Sequence, residues 1–242
     1  MRSDTHARKA INYDIGRPEY PREFFDWLYS ALRPEVIADI GCGPGKIMQG
    51  FARRGSKIYA VEPDPDMFAI AQNRLEQFEN CVLLHNTAEE TGIPSNSIDL
   101  IFCGNSYMWF DRPKAIAEFE RILRPGGKNI IIARQTCDSY IEDEYFEARQ
   151  KLKKPLKVQP NIAPPFREGK YITKEFRYVI YETFEQSLSV SLSTPDSPDP
   201  EDSCYDEYCR CAKLYFDKHS HNGKLKTTML VACQIGSVND LI

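Results

Sequence analysis

Between Val36 and Ala133 the chain alternates short β-branched runs with stretches of helical spacing, and this alternation restricts the fold more than any other feature. Val36-Ile37-Ala38-Asp39-Ile40 reads as a buried strand. Ile47, Met48 and Phe51 then share a helical face, and Gly55 closes that short helix. Ile58-Tyr59-Ala60-Val61 is a second strand. Asp64 suits an N-cap and Pro65 the first helical position, and Met67, Ala71, Leu75 and Phe78 follow at helical intervals. Val82-Leu83-Leu84 and Ile98-Asp99-Leu100-Ile101-Phe102 are the third and fourth strands. Asp111 caps a helix entered at Pro113, Pro125-Gly126-Gly127 stops it, and Asn129 to Ala133 is the fifth strand. Strands that alternate with helices build a doubly wound, mostly parallel sheet with helices on both faces, so the fold class is α/β.

The flanks read differently. Phe24, Leu28 and Leu32 share one face of a helix starting near Pro21. Beyond the fifth strand we expect a helix over about 142–151 and an irregular, proline-bearing stretch over 152–170. A strand at 177–184, a loop at 195–200, a helix at about 201–218 and a last strand at 226–235 follow. These excursions are too short for a core of their own. The expected organisation is one domain, 1–242, with an N-terminal cover segment at 1–33 and a lid excursion at about 138–176.

Composition removes several classes. The longest apolar runs are a few residues, whereas a spanning helix needs about 20, so no membrane span is expected. A net charge of −4 argues against a dedicated nucleic-acid binder. Eight cysteines follow a polar N-terminal segment without the apolar core of a signal peptide, which reads as reduced thiols in the cytoplasm. Cys204, Cys209, Cys211, His219 and His221 lack the spacing of a zinc site, so no metal is expected.

The loop after the first strand carries the chemistry. Asp39-Ile40-Gly41-Cys42-Gly43-Pro44-Gly45 leaves a strand and opens a helix. Its glycines permit a sharp turn and close approach of a ligand. Ligands of such sheets sit beyond the carboxyl ends of the strands. Glu62 ends the second strand, where a carboxylate can accept both hydroxyls of a ribose. A dinucleotide site would want Gly-x-Gly-x-x-Gly and no acid beside the pyrophosphate. Here the spacing is Gly-x-Gly-x-Gly, and Asp39 suits an ammonium group instead. That favours a cationic adenosyl ligand over a nicotinamide dinucleotide.

These residues resemble the seven-stranded, Rossmann-like (class I) S-adenosylmethionine-dependent methyltransferases, over roughly residues 10–135. Asn86-Thr87-Ala88-Glu89, Ile98 to Phe102 and Leu123-Arg124-Pro125-Gly126-Gly127 match further family segments. Tyr13, Arg17-Pro18-Glu19-Tyr20-Pro21 and Trp109-Phe110-Asp111 resemble a small-molecule subgroup that includes trans-aconitate methyltransferase-like proteins. The resemblance implies strand order 3-2-1-4-5-7-6 with the last strand antiparallel. It implies S-adenosylmethionine as cofactor, S-adenosylhomocysteine as product and a small-molecule substrate; the charge balance and the short apolar runs add the expectation of no nucleic-acid or membrane partner. The implied cofactor residues are Asp39, Gly41, Gly43, Gly45, Glu62, Pro63, Thr87, Ala88, Glu89, Asn105, Tyr13 and Arg17. Tyr20, Tyr107 and Trp109 are the substrate-pocket candidates, Tyr107 ahead of Trp109. Where the subgroup commonly has a histidine this chain has Met108, and no catalytic base is identified.

In-line displacement from a sulfonium needs alignment and water exclusion more than a base. Residues 149–177 hold nine lysines and arginines against two glutamates, which suggests an anionic acceptor. The competing reading pairs those cations with Asp196, Asp199, Glu201, Asp202, Asp206 and Glu207. The alternatives to a small-molecule enzyme are a binding protein of the same fold without turnover, and a methyltransferase of protein or nucleic acid.

Overall fold

The computed structural model describes residues 4–125, 129–137, 141–156 and 158–242; Gly126 and Gly127 lie outside the described residues. A seven-stranded sheet has the order β3-β2-β1-β4-β5-β7-β6, and its last strand is antiparallel. β1 (Val36–Ile40) pairs in parallel with β2 (Lys57–Val61) and β4 (Leu100–Gly104). β2 pairs in parallel with β3 (Cys81–Leu84), and β4 with β5 (Asn129–Cys137). β6 (Tyr171–Glu182) and β7 (Leu225–Gly236) complete it. The central strands read as continuous apolar runs because both of their faces are covered.

The chain divides into two compact units: residues 19–136, 160–176 and 230–242 form one, and residues 1–18, 137–159 and 177–229 the other. The first contains β1 to β4 with α2 (Arg22–Ala31), α3 (Lys46–Ala52), α4 (Pro65–Leu75) and α5 (Arg112–Ile122). Phe24 and Leu28 of α2 are fully buried, and the Phe24 ring lies 5.9 Å from Phe102 and 6.3 Å from Phe51. That aromatic cluster holds α2 against the sheet. Asp64 caps α4 as expected, its Oδ1 accepting from the amides of Asp66 and Met67. Asp111 occupies the N-cap of α5, and its carboxylate pairs with the Lys114 ammonium at 2.7 Å.

β4 begins two residues later than the sequence suggests. Ile98 makes only an isolated bridge to Leu123, and Asp99 is taken out of the strand pattern by a different task. Its Oδ2 accepts from the amides of Glu35 and Val36, and its Oδ1 from Arg124. The acid thereby latches the start of β1.

The other unit contains α1 (Asp4–Gly16), α6 (Glu144–Lys151), α7 (Phe184–Leu192) and α8 (Tyr205–His219). Neither α1 nor α7 stands out in the apolar spacing. Lys9 of α1 donates to the carbonyls of Thr194 and Ser197 and to the Ser197 hydroxyl. Lys153 pairs with Asp196 at 3.1 Å, and Lys154 with Asp199 at 2.5 Å and Asp202 at 2.7 Å. For these two lysines the internal-pairing alternative is the one observed. Lys157 lies outside the described residues.

α1 meets α7 so closely that a Cβ on Gly16 would run into the backbone of Val190. Gly16→Ala is therefore expected to lower the melting temperature, because overpacking of about 1–3 kcal/mol exceeds the roughly 1 kcal/mol gained in helix propensity. A variant that melts higher than the parent in a thermal scan would show that the two helices separate easily.

Candidate cofactor site at the carboxyl edge of the sheet

The ends of β1, β2 and β3 are stitched together by backbone hydrogen bonds. Gly41 and Cys42 donate to the Val61 carbonyl at 2.8 and 3.0 Å, and Glu62 donates to the Leu84 carbonyl at 3.1 Å. The loop 41–45, Glu62 and the segment after Leu84 are therefore set by one edge of the sheet.

Gly41, Gly43 and Gly45 have φ of 72°, 57° and 77°, in the left-handed region that side chains rarely adopt. Gly41 has a second reason to be glycine: a Cβ would lie 2.5 Å from the Ser106 Cβ. Ser106 is buried and donates to the Ile40 carbonyl at 2.6 Å. Its signal in the sequence is slight, a small residue two places after β4. Gly45 ends the loop as the N-cap of α3.

The Glu62 carboxylate is 6% exposed and holds the loop in place. Its Oε2 accepts from Gly43 N–H at 2.7 Å and its Oε1 from Asp64 N–H at 2.9 Å. Each oxygen keeps one lone pair. Burial pushes its pKa up, against the two amide bonds that pull it down. Asp39 is 1% exposed, and its Oδ2 is buried with no hydrogen-bond partner. Burial, with the charge of Glu62 adding to it, pushes the Asp39 carboxyl up to about 8. A buried carboxyl left unsatisfied is costly, and a cation against it would satisfy it. Burial also drives the Cys42 and Cys103 thiols far up, so neither is a thiolate at neutral pH.

Pro63 and Thr87 are exposed, Ala88 is buried, and Glu89 Oε1 accepts from Asp111 N–H at 2.9 Å. His85 lies at the same edge, with Nε2 3.0 Å from the Pro63 carbonyl and its ring 4.8 Å from Phe68. Asn105 has φ of 57° and bridges to β5: its amide donates to Ala133, and its Oδ1 accepts from Gln135 N–H. The Tyr20 ring packs 5.2 Å from Phe24 and 6.0 Å from Phe102, beside Gly104 at the end of β4. Tyr107 is buried, and its ring lies 4.9 Å from the Arg112 guanidinium. Burial pushes its hydroxyl up to about 12. Trp109 is 46% exposed. Tyr13 and Arg17 belong to the other unit, where the Arg17 guanidinium sits 5.1 Å over the Tyr13 ring. Among the described residues no group of three His, Cys, Asp or Glu could hold a metal ion, and no helix is long and apolar enough to cross a membrane.

The donor set fits an adenosyl cation better than a pyrophosphate. It offers a glycine cradle, a carboxylate with spare lone pairs on one side and an orphaned buried acid on the other.

Residues 38–131, which include the glycine loop and Glu62, match the methyltransferase domain family. An uncharacterised methyltransferase of Mycobacterium tuberculosis is 40% identical over 116 residues, 48% of this chain and 46% of that protein. The chain thus spans about half the length of its mycobacterial relatives. A protein of Dictyostelium discoideum, provisionally named a methyltransferase, is 30% identical over 204 residues, 80% of this chain and 72% of that protein. A solved structure from Anaeromyxobacter dehalogenans, provisionally named a type II methyltransferase, shares the fold. Its TM-score is 0.63 at 22% identity, covering 92% of this chain and 98% of that one.

Proposed function

The chain belongs to the class I S-adenosylmethionine-dependent methyltransferases, and within that family we propose that it methylates a small organic anion in the cytoplasm. The observation that carries the cofactor assignment is the buried, unpartnered Oδ2 of Asp39 beside the glycine loop. When bound, S-adenosylmethionine supplies a methyl carbon on a sulfonium; the acceptor's lone pair forms the new bond while the C–S pair stays on sulfur, leaving S-adenosylhomocysteine.

The chain's residues do the rest by position. Gly41, Gly43 and Gly45 let the backbone approach the cofactor, and the spare lone pairs of Glu62 accept the ribose hydroxyls. Asp39 offsets the cofactor's positive charge. Pro63, Thr87, Ala88 and Glu89 line the adenine side, and Asn105 fixes the end of β4. Tyr20 and Tyr107 belong to the acceptor side. An anionic acceptor such as a carboxylate needs no general base, which suits a site where neither His85 nor a cysteine is placed to act as one. Its attraction to residues 149–177 rests on fewer cations than the sequence suggests, since Lys153 and Lys154 have acidic partners.

Titration calorimetry with S-adenosylmethionine, S-adenosylhomocysteine and NAD tests the cofactor. Tight binding of the first two and none of NAD is the expected result; affinity for NAD alone would overturn the assignment. A labelled-methyl assay on a metabolite extract, read by mass, then tests turnover. Binding without transfer would leave a cofactor-binding protein rather than an enzyme.

A further inference from the structure

The unit of residues 1–18, 137–159 and 177–229 encloses a cavity of about 310 Å³. Its walls are mostly apolar, with Ile141, Phe146, Val190, Leu225 and Met229 among them. Arg17, Arg149, Lys153 and Lys226 also line it, against a single carboxylate, Glu182. Glu182 is buried, accepts from the Thr227 hydroxyl at 2.5 Å, and has its pKa pushed up by burial. Lys153 already has Asp196.

Arg149 has no such arrangement and is the buried cation of the cavity. It is 7% exposed. Its Nη1 donates to Ser191 Oγ at 2.9 Å, and its guanidinium lies 5.7 Å from the Phe146 ring and 5.6 Å from the Tyr215 ring. Among the described residues no carboxylate forms an ion pair with it. A guanidinium has five N–H donors, and one is used here. Ser191 is itself committed, since its hydroxyl donates to the Ser187 carbonyl at 3.1 Å. Removing a cation from water without a counter-charge is expensive, and two ring faces offset only part of that. The position is built locally. Asp143 caps α6 through the amides of Tyr145 and Phe146, and the helix then sets Phe146 and Arg149 one turn apart on one face.

We infer that this cavity binds a small organic carboxylate, with Arg149 taking the carboxylate end and the apolar walls the body. Planar guanidinium matches carboxylate in two parallel hydrogen bonds, which fixes the ligand's orientation as well as its charge. Identifying the ligand with the methyl acceptor rests on the proposed function; the binding itself does not.

The test uses the full chain without cofactor and a panel of acids running from acetate to decanoate, with phenylacetate. Each acid is paired with the primary alcohol of the same skeleton. At least one acid is expected to bind ten times or more tightly than its alcohol. Arg149→Met should erase that preference while leaving the alcohol's affinity in place. Arg149→Met should also melt no lower than the parent, because it exchanges an uncompensated buried charge for an apolar side chain of similar length. Arg149→Lys, which keeps the charge and loses the fork, should retain part of the preference. No preference for acid over alcohol anywhere in the panel would overturn the inference, as would a preference that survives Arg149→Met. Failure of the cofactor assignment is read separately, in the parent's titration with S-adenosylmethionine.

Discussion

Asp39→Asn is expected to raise the thermal stability of the ligand-free protein and to remove most of its affinity for S-adenosylmethionine. Both effects follow from one buried carboxyl. An aspartate in an unfolded chain titrates near 3.9. In the fold, burial first and the charge of Glu62 second push Asp39 up to about 8. Between about pH 4 and 8 the native state therefore holds a proton that the unfolded chain has lost. Stability contributed by this group is complete below pH 4 and falls as pH rises toward 8, by at most about 1.4 kcal/mol per unit. Asparagine has nearly the same shape and nothing to ionise. The gap in melting temperature between variant and parent should be small at pH 4 and widen toward pH 8.

Ligand binding runs the other way. A cation against Oδ2 favours the ionised acid, so below pH 8 binding expels a proton. Affinity should strengthen by up to about tenfold per pH unit from 5.5 to 7.5, where the ligand's own ammonium keeps its proton. Asparagine should flatten that slope and weaken binding at pH 7.5 by about 10- to 150-fold, the scale of a hydrogen bond to a charged group. Calorimetry across this range checks both. A variant that binds as tightly as the parent, with the same slope, would remove Asp39 from the site.

The legible part of this chain is the part whose chemistry is local. The glycine loop, Asp39 and Glu62 could be read because strand ends, positive-φ glycines and carboxylates leave their marks within a few residues. The strand order is legible only through family resemblance, because pairing β1 with β4 depends on contacts 63 residues apart, such as Ile37 with Leu100, that no periodicity encodes. α1 leaves little trace in the apolar spacing because it buries little: Ala10 is its one buried aliphatic side chain among the described residues. α7 is masked because Phe184-Glu185-Gln186-Ser187-Leu188-Ser189-Val190-Ser191-Leu192 alternates like a strand toward its end. Its signal was the capping box of Thr183 and Gln186, which the structure forms. Arg149 was visible only as one of nine cations. What separates it from Lys153 and Lys154 is which of them meets an acid, and that depends on where residues 196–202 fold.

Glu62→Ala is expected to cost the protein both stability and cofactor, and Glu62→Gln to resemble it more than charge and size alone would suggest. The carboxylate receives two backbone amides, Gly43 at 2.7 Å and Asp64 at 2.9 Å. Hydrogen bonds to a charged group are worth about 1.5–3 kcal/mol each, and water entering the alanine variant recovers part of that. A net loss of about 2–4 kcal/mol is expected. Glutamine keeps one acceptor oxygen but turns an NH₂ toward the other backbone N–H, so one bond is replaced by two opposed donors. The loss of cofactor affinity has two sources, a loosened loop and missing ribose contacts, and an analogue lacking the 2′ and 3′ hydroxyls separates them. In the parent, removing the hydroxyls should weaken binding by about 10- to 150-fold. In Glu62→Ala the same removal should change little, because the acceptor is already gone. The four affinities form a cycle whose coupling isolates the contact. If instead the hydroxyls are worth as much in the variant as in the parent, Glu62 holds only the loop, and the ribose finds its acceptor elsewhere.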